Sequence, residues 1–120
     1  MTKSKHFKES EFKKCVPSCS LQNMKQSTMN RLDTARDIAG IPFVLNSAFR
    51  TVEHEKRQGR AGTSSHTTGR AVDIRCNDDR NRFKIIDALL QSGFRRIGVA
   101  KTFIHADDSD THTQGVVWFY

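Results

Sequence analysis

The sequence predicts an α+β fold, with helices packed on a small and mostly antiparallel sheet. Three observations carry that expectation. Two stretches, one between Asn23 and Gly40 and one between Asn77 and Gly93, place apolar residues at helical spacing. Short β-branched or aromatic runs lie between and after them. The closing runs follow one another too closely for helical crossovers, so antiparallel pairing is expected at that end.

Taken in order, residues 1–20 read as an irregular, charged lead-in with Phe7 and Phe12 as its candidate docking points. Asn23-Met24-Lys25-Gln26 has capping-box spacing, with Gln in place of Glu. Met29, Leu32, Ala35 or Ala39, and Ile38 then form an inward stripe, and Gly40 before Ile41-Pro42 stops a helix of about four turns. Residues 42–47 read as a strand and 52–57 as a short helix, followed by a flexible loop at 59–64. A second strand is expected at 71–76. Asn77 or Asp78 then caps a helix whose core face would carry Phe83, Ile86, Leu89 and Leu90, with Gly93 as its stop. Strands at 95–99, 102–106 and 116–120 complete the sheet, and Trp118, Phe119 and Tyr120 are expected to pack rather than line a sugar-binding wall.

At 120 residues the chain is one domain, 1–120. Hydrophobic residues at 36% and charged residues at 28% suit a globular protein rather than a disordered one. The formal charge of +7 favours polyanions, whether nucleic acid, an anionic cell wall or anionic lipid. No basic helix is interleaved with stacking aromatics, so nucleic acid is not the expected partner. No apolar run approaches the roughly 20 residues that span a bilayer, so membrane insertion is not expected either. The opening MTKSKHFKESEFKK is basic but lacks the apolar core of a signal peptide. Synthesis in a cytoplasm is the expectation, and a monomer is the expected state. Cys15, Cys19 and Cys76 are too few for a disulfide framework. Free thiols are expected, with a local Cys15–Cys19 bridge or a zinc contribution as the alternatives.

The chemistry lies in SSHTTGRAVDI, residues 64–74, and FIHADD, residues 103–108. Alternation along a strand sends Val72 and Ile74 to one face and Asp73 to the other. The same rule puts His105 and Asp107 opposite Ile104 and Ala106. Both strands therefore show an apolar core side and an ionisable outer side, and ionisable groups in such runs need partners. Gly69 supplies a turn that folds His66 back toward Asp73. Two imidazoles and a carboxylate suit zinc, with a fourth position left for water. Such a site brings the pKa of bound water toward about 7 and polarises a carbonyl, so hydrolysis is the implied chemistry. A general base should lie close by, and Asp107 is the geometric favourite, about 7 Å along its strand from His105.

SSHTTGRAVD fits the pattern S-x-H-x-x-G-x-A-x-D and resembles the zinc D-Ala-D-Ala carboxypeptidase family, which includes phage endolysins and murein endopeptidases and shares the hedgehog fold. SAFRT upstream, FIHAD downstream and the N-terminal FKESEF are similar to landmarks of small phage-encoded members, so the likeness covers nearly the whole chain. The resemblance implies zinc bound by His66, Asp73 and His105. It gives Arg50 a substrate carboxylate or the oxyanion, for which a planar fork of donors is well suited. It also implies a hydrogen bond from Ser64 near the metal. Many members carry their catalytic acid three residues before the second zinc histidine, where this chain has Thr102. Asp107 fits the H-x-D form of other relatives, either as the base or as a group that orients His105. His112 is a weaker candidate for base or oxyanion partner. His6 and His54 are expected in solvent, Asp108 and Asp110 in a loop, and the basic runs on solvated faces.

The function so implied is zinc-dependent cleavage of peptide bonds in bacterial peptidoglycan, at the cell wall after release or delivery with a virion. The alternative is a zinc-stabilised binding domain without turnover.

Overall fold

The computed structural model describes residues 1–120, with helices and strands arranged around one five-stranded sheet. In chain order the elements are α1 (Glu9–Lys13), α2 (Gln26–Ala39), β1 (Leu45–Ser47), α3 (Val52–Arg57), β2 (Ala71–Arg75), α4 (Asp79–Gln91), β3 (Arg96–Val99), β4 (Phe103–Asp107) and β5 (Val116–Phe119). The strand order is β1-β2-β4-β3-β5. Every pairing is antiparallel except β3 with β5. No helix is long and apolar enough to cross a membrane.

Alternation divides the sheet into two faces. Val72, Ile74, Ile97, Ile104 and Ala106 join α2 and α4 in the core through Met29, Leu32, Ile85 and Leu89. Asp73 is registered opposite His105, and Ala71 opposite Asp107, so these side chains share the other face. That face carries the polar residues.

Four expectations are corrected. The lead-in is not irregular, because it contains α1, while Phe7 and Phe12 are buried as expected of docking points. Polar anchors hold it in place, because Asp33 of α2 accepts from Ser4 Oγ and from the backbone of Lys5 and His6. The capping box sits a turn earlier than expected, with Ser20 N donating to Asn23 Oδ1 at 2.9 Å across a short 3₁₀ turn at Leu21–Asn23. Gln26 is thereby freed to clamp the Lys3 backbone from both its amide atoms.

The core face of α4 is rotated. Ile85, Ala88 and Leu89 are buried, whereas Phe83 is 71% exposed. Two stripes at helical spacing overlap in this helix, and the one with the smaller side chains fits against β4. Finally, β5 runs parallel to β3. The chain has already reversed in β4, so the loop after Asp107 needs only to pass the end of β3 to lay down a parallel edge strand. All three cysteines are free and buried.

Candidate metal centre

Two chain segments bring the donors together. A 3₁₀ turn, Ser65–Thr68, carries His66 and ends at Gly69 with φ of 73°. A Cβ at Gly69 would lie 2.1 Å from the Asn23 carbonyl oxygen, so the turn can sit this close to the segment before α2 only with glycine. The turn leads directly into β2 and Asp73, while β4 supplies His105 from the neighbouring strand.

One ligand atom from each of His66, Asp73 and His105 lies within 4.8 Å of the other two. His66 Nε2 is 3.4 Å and His105 Nδ1 3.0 Å from Asp73 Oδ1, and the two rings stand 5.1 Å apart at 65°. His66 Nδ1 is paired with the Ala48 carbonyl at 2.6 Å, which requires the proton on that nitrogen. Its Nε2 is left with a lone pair, buried, and no hydrogen-bond partner. A buried acceptor with nothing to accept is costly in an ordinary core. A cation among the three donors removes that cost, so the residues present fit a divalent metal.

His105 is held from behind. Its Nε2 lies 2.6 Å from Asp107 Oδ2, and Asp107, fully buried, also accepts from Arg96 Nε at 3.1 Å and Ser109 N at 3.2 Å. Burial alone would lower the His105 pKa, but its bonds to Asp107 and Asp73 outweigh it and hold the pKa above its ordinary value. Burial would likewise raise Asp73, yet the neighbouring imidazoles, His105 first and then His66, keep its carboxyl well below the usual range. Asp107 is lowered in the same way, its burial being outweighed chiefly by His105.

These contacts place the expected residues. His66, Asp73 and His105 converge. Asp107 stands on the ring nitrogen of His105 that points away from Asp73, where a carboxylate orients an imidazole rather than activating a water. Arg50 sits 3.5 Å from Asp73 Oδ2 and 3.6 Å from Glu55 Oε2, with its Nε buried and unpartnered. Ser64 lines the cleft and donates to Glu55. His112 lines it as well, with Nδ1 2.9 Å from Ser109 Oγ. Thr102 lies outside the strand.

The cleft over the donors holds about 300 Å³. Trp118 and Tyr120 form one wall, contrary to the expectation that they would simply pack: the Trp118 ring is 5.4 Å from that of His105, and Tyr120 is 67% exposed. The parallel register sets Trp118 beside Gly98, and a Cβ there would come within 2.6 Å of the indole. The guanidinium of Arg96 lies 4.7 Å over the same indole.

The family model that matches this sequence is Peptidase M15, over residues 5–107. The chain belongs to the Peptidase M15 family. A comparison with curated proteins found no match. Membership points to metallopeptidase-type chemistry in a family that is generally zinc-dependent, and the His66–Asp73–His105 group is where this M15 chain could bind the metal.

Glu55, Arg96 and Arg60 in the cleft were not singled out from the sequence. Glu55 reads there as one more charge in the first turn of a surface helix, yet it is fully buried. Arg96 reads as half of a solvated Arg95-Arg96 pair. Its spacing of two from Gly98, on the strand beside β4, is the signal that could have placed it.

Proposed function

We propose that this protein is a zinc-dependent peptidase that hydrolyses peptide bonds in bacterial peptidoglycan, in its stem peptides or crosslinks. The observation that carries the reading is the orphaned Nε2 of His66, aimed at two further donors, with no fourth histidine, cysteine or carboxylate in the group. Three protein ligands and an open position are the pattern of catalytic rather than structural zinc.

His66, Asp73 and His105 would hold the ion. Zinc so bound lowers the pKa of water and polarises a carbonyl, which is the chemistry amide hydrolysis needs. The chain's own groups do the rest. Ala48 and Asp107 fix the orientation of the two imidazoles through the ring nitrogens that do not face Asp73. Arg50 presents guanidinium hydrogens to a substrate carboxylate or developing oxyanion, and Glu55 holds it in place. Among the histidines and carboxylates lining the cleft, His112 is neither in the donor group nor committed to an ion pair. We assign it the proton transfers, since an imidazole takes and returns protons near neutral pH.

The charge of +7 supports an anionic polymer as the working environment. We place the site of action at the bacterial cell wall, reached from a cytoplasm after release or with a virion, and the working unit as a monomer. The test is incubation of the purified protein with isolated sacculi and labelling of new amino termini. Termini should accumulate, stop with chelator and resume with zinc. Stoichiometric zinc binding with no release of termini would instead identify a zinc-stabilised binding domain.

A further inference from the structure

Beside the donor cleft runs a second groove of about 630 Å³, sharing Arg50, Arg60, Asp73 and Phe103 with it. Its walls come from β1, the turn after α1 and the end of α3. We propose that this groove binds the acidic arm of the peptide substrate, with Lys14 and Arg60 as the residues that select a carboxylate.

Charge is the first argument. Lys14, Arg50 and Arg60 line the groove against a single acid, Asp73. Arg50 is already placed between Glu55 and Asp73, whereas Lys14 and Arg60 make no ion pair anywhere in the structure. Two uncompensated cations at the rim of one concavity focus a positive potential into it. The second argument is unmet hydrogen bonding. Ser47 Oγ and Arg50 Nε are both buried, both belong to residues lining the groove, and neither has a partner. A hydroxyl and a guanidinium N–H without partners, on residues that line a groove with two free cations, suit an oxyanion-binding lining. The third is size and continuity. The volume falls in the range of ligand pockets, and the shared residues let one extended peptide cross the donors and enter the groove. Val16 and Val44, 77% and 52% exposed, flank the cations and offer an apolar border for the peptide's aliphatic part.

This inference rests on the peptidase reading for its substrate, but its test does not need turnover. The probes are two N-terminally labelled, C-terminally amidated peptides, Ala-Glu-Ala-Ala and Ala-Gln-Ala-Ala, titrated against the protein by fluorescence anisotropy. The acidic peptide should bind about five- to tenfold more tightly at low ionic strength, and the gap should shrink in high salt. In the Lys14→Gln/Arg60→Gln double variant the gap should close, with an unchanged melting temperature verifying the fold. Equal binding of both peptides by the parent protein, or a preference that survives the double substitution, overturns the proposal. Discrimination between the probes without hydrolysis of peptidoglycan would sink the peptidase reading and leave the groove standing.

Discussion

Replacing Asp107 by asparagine alters one charge on the side of His105 that faces away from Asp73, and its consequences separate orientation from catalysis. Asparagine keeps the size but only one carbonyl oxygen, so of Ser109 N, which donates to Oδ1, and Arg96 Nε, which donates to Oδ2, one keeps its acceptor and the other faces an amide N–H. What is lost is the anion 2.6 Å from His105 Nε2, which fixes the tautomer and makes the opposite nitrogen a better donor to metal. Substitutions of this kind weaken metal binding by about 10- to 100-fold, or about 1.4 to 2.7 kcal/mol. Losing a charge-assisted hydrogen bond from a fully buried site should also lower the zinc-free melting temperature by about 4 to 8 °C. Competition against a chromophoric chelator reads the first quantity, and calorimetry the second. At saturating zinc the variant should recover most of its hydrolysis, because the group it lacks only positions a ligand. Unchanged zinc affinity together with abolished hydrolysis at saturating metal would refute the reasoning and return Asp107 to the role of base.

Two further outcomes follow from the same geometry. In the zinc-free protein Asp73 stabilises the fold above its unfolded pKa of 3.8, and this is lost as pH falls through its lowered folded value. His105 does so below 6.5, and this is lost as pH rises through its raised folded value. The chelated protein should therefore melt highest between about pH 4 and 6.5, while zinc affinity climbs with pH as His105 gives up its proton. A chelated melting temperature that rises steadily from about pH 6 to 8 would contradict the assigned pair. At Gly69, alanine meets both a positive φ and the Asn23 carbonyl, so Gly69→Ala should cost about 2 to 4 kcal/mol and weaken zinc binding through His66. A melting temperature within about 2 °C of the parent would show that the turn is freer than drawn.

Periodicity was enough to locate the strands that carry the donors. The alternation in AVDI and FIHAD put Asp73 and His105 on one face before any register was known, and β2 and β4 indeed pair with those residues opposite one another. The short helix at 52–57 also lies where the sequence placed it, and Thr51 caps it with an oxygen on the His54 amide. What failed depended on tertiary choices. Phe83 and Ile85 sit on rival stripes of α4, and only the shape of β4 decides between them. Trp118 could not be assigned to a cleft wall without knowing that β5 pairs with β3 rather than β4. Asp107 shows the limit most clearly. Its face was readable, but which nitrogen of His105 it would meet depends on a ring rotation that sequence spacing does not encode.

Consecutive residues at the end of β4 serve opposite sides of the molecule. Asp107 turns to the imidazole of the donor group, and Asp108 turns to α2, where it pairs with Arg31 at 2.7 Å and takes the Ser27 and Thr28 hydroxyls. One peptide unit thus couples the reactive centre to the outer scaffold. Engineers who redesign the start of α2 for heat resistance, a surface that looks remote from any chemistry, should expect to retune metal retention as an unplanned by-product. The same coupling offers a handle for adjusting the donor site without touching a single ligand.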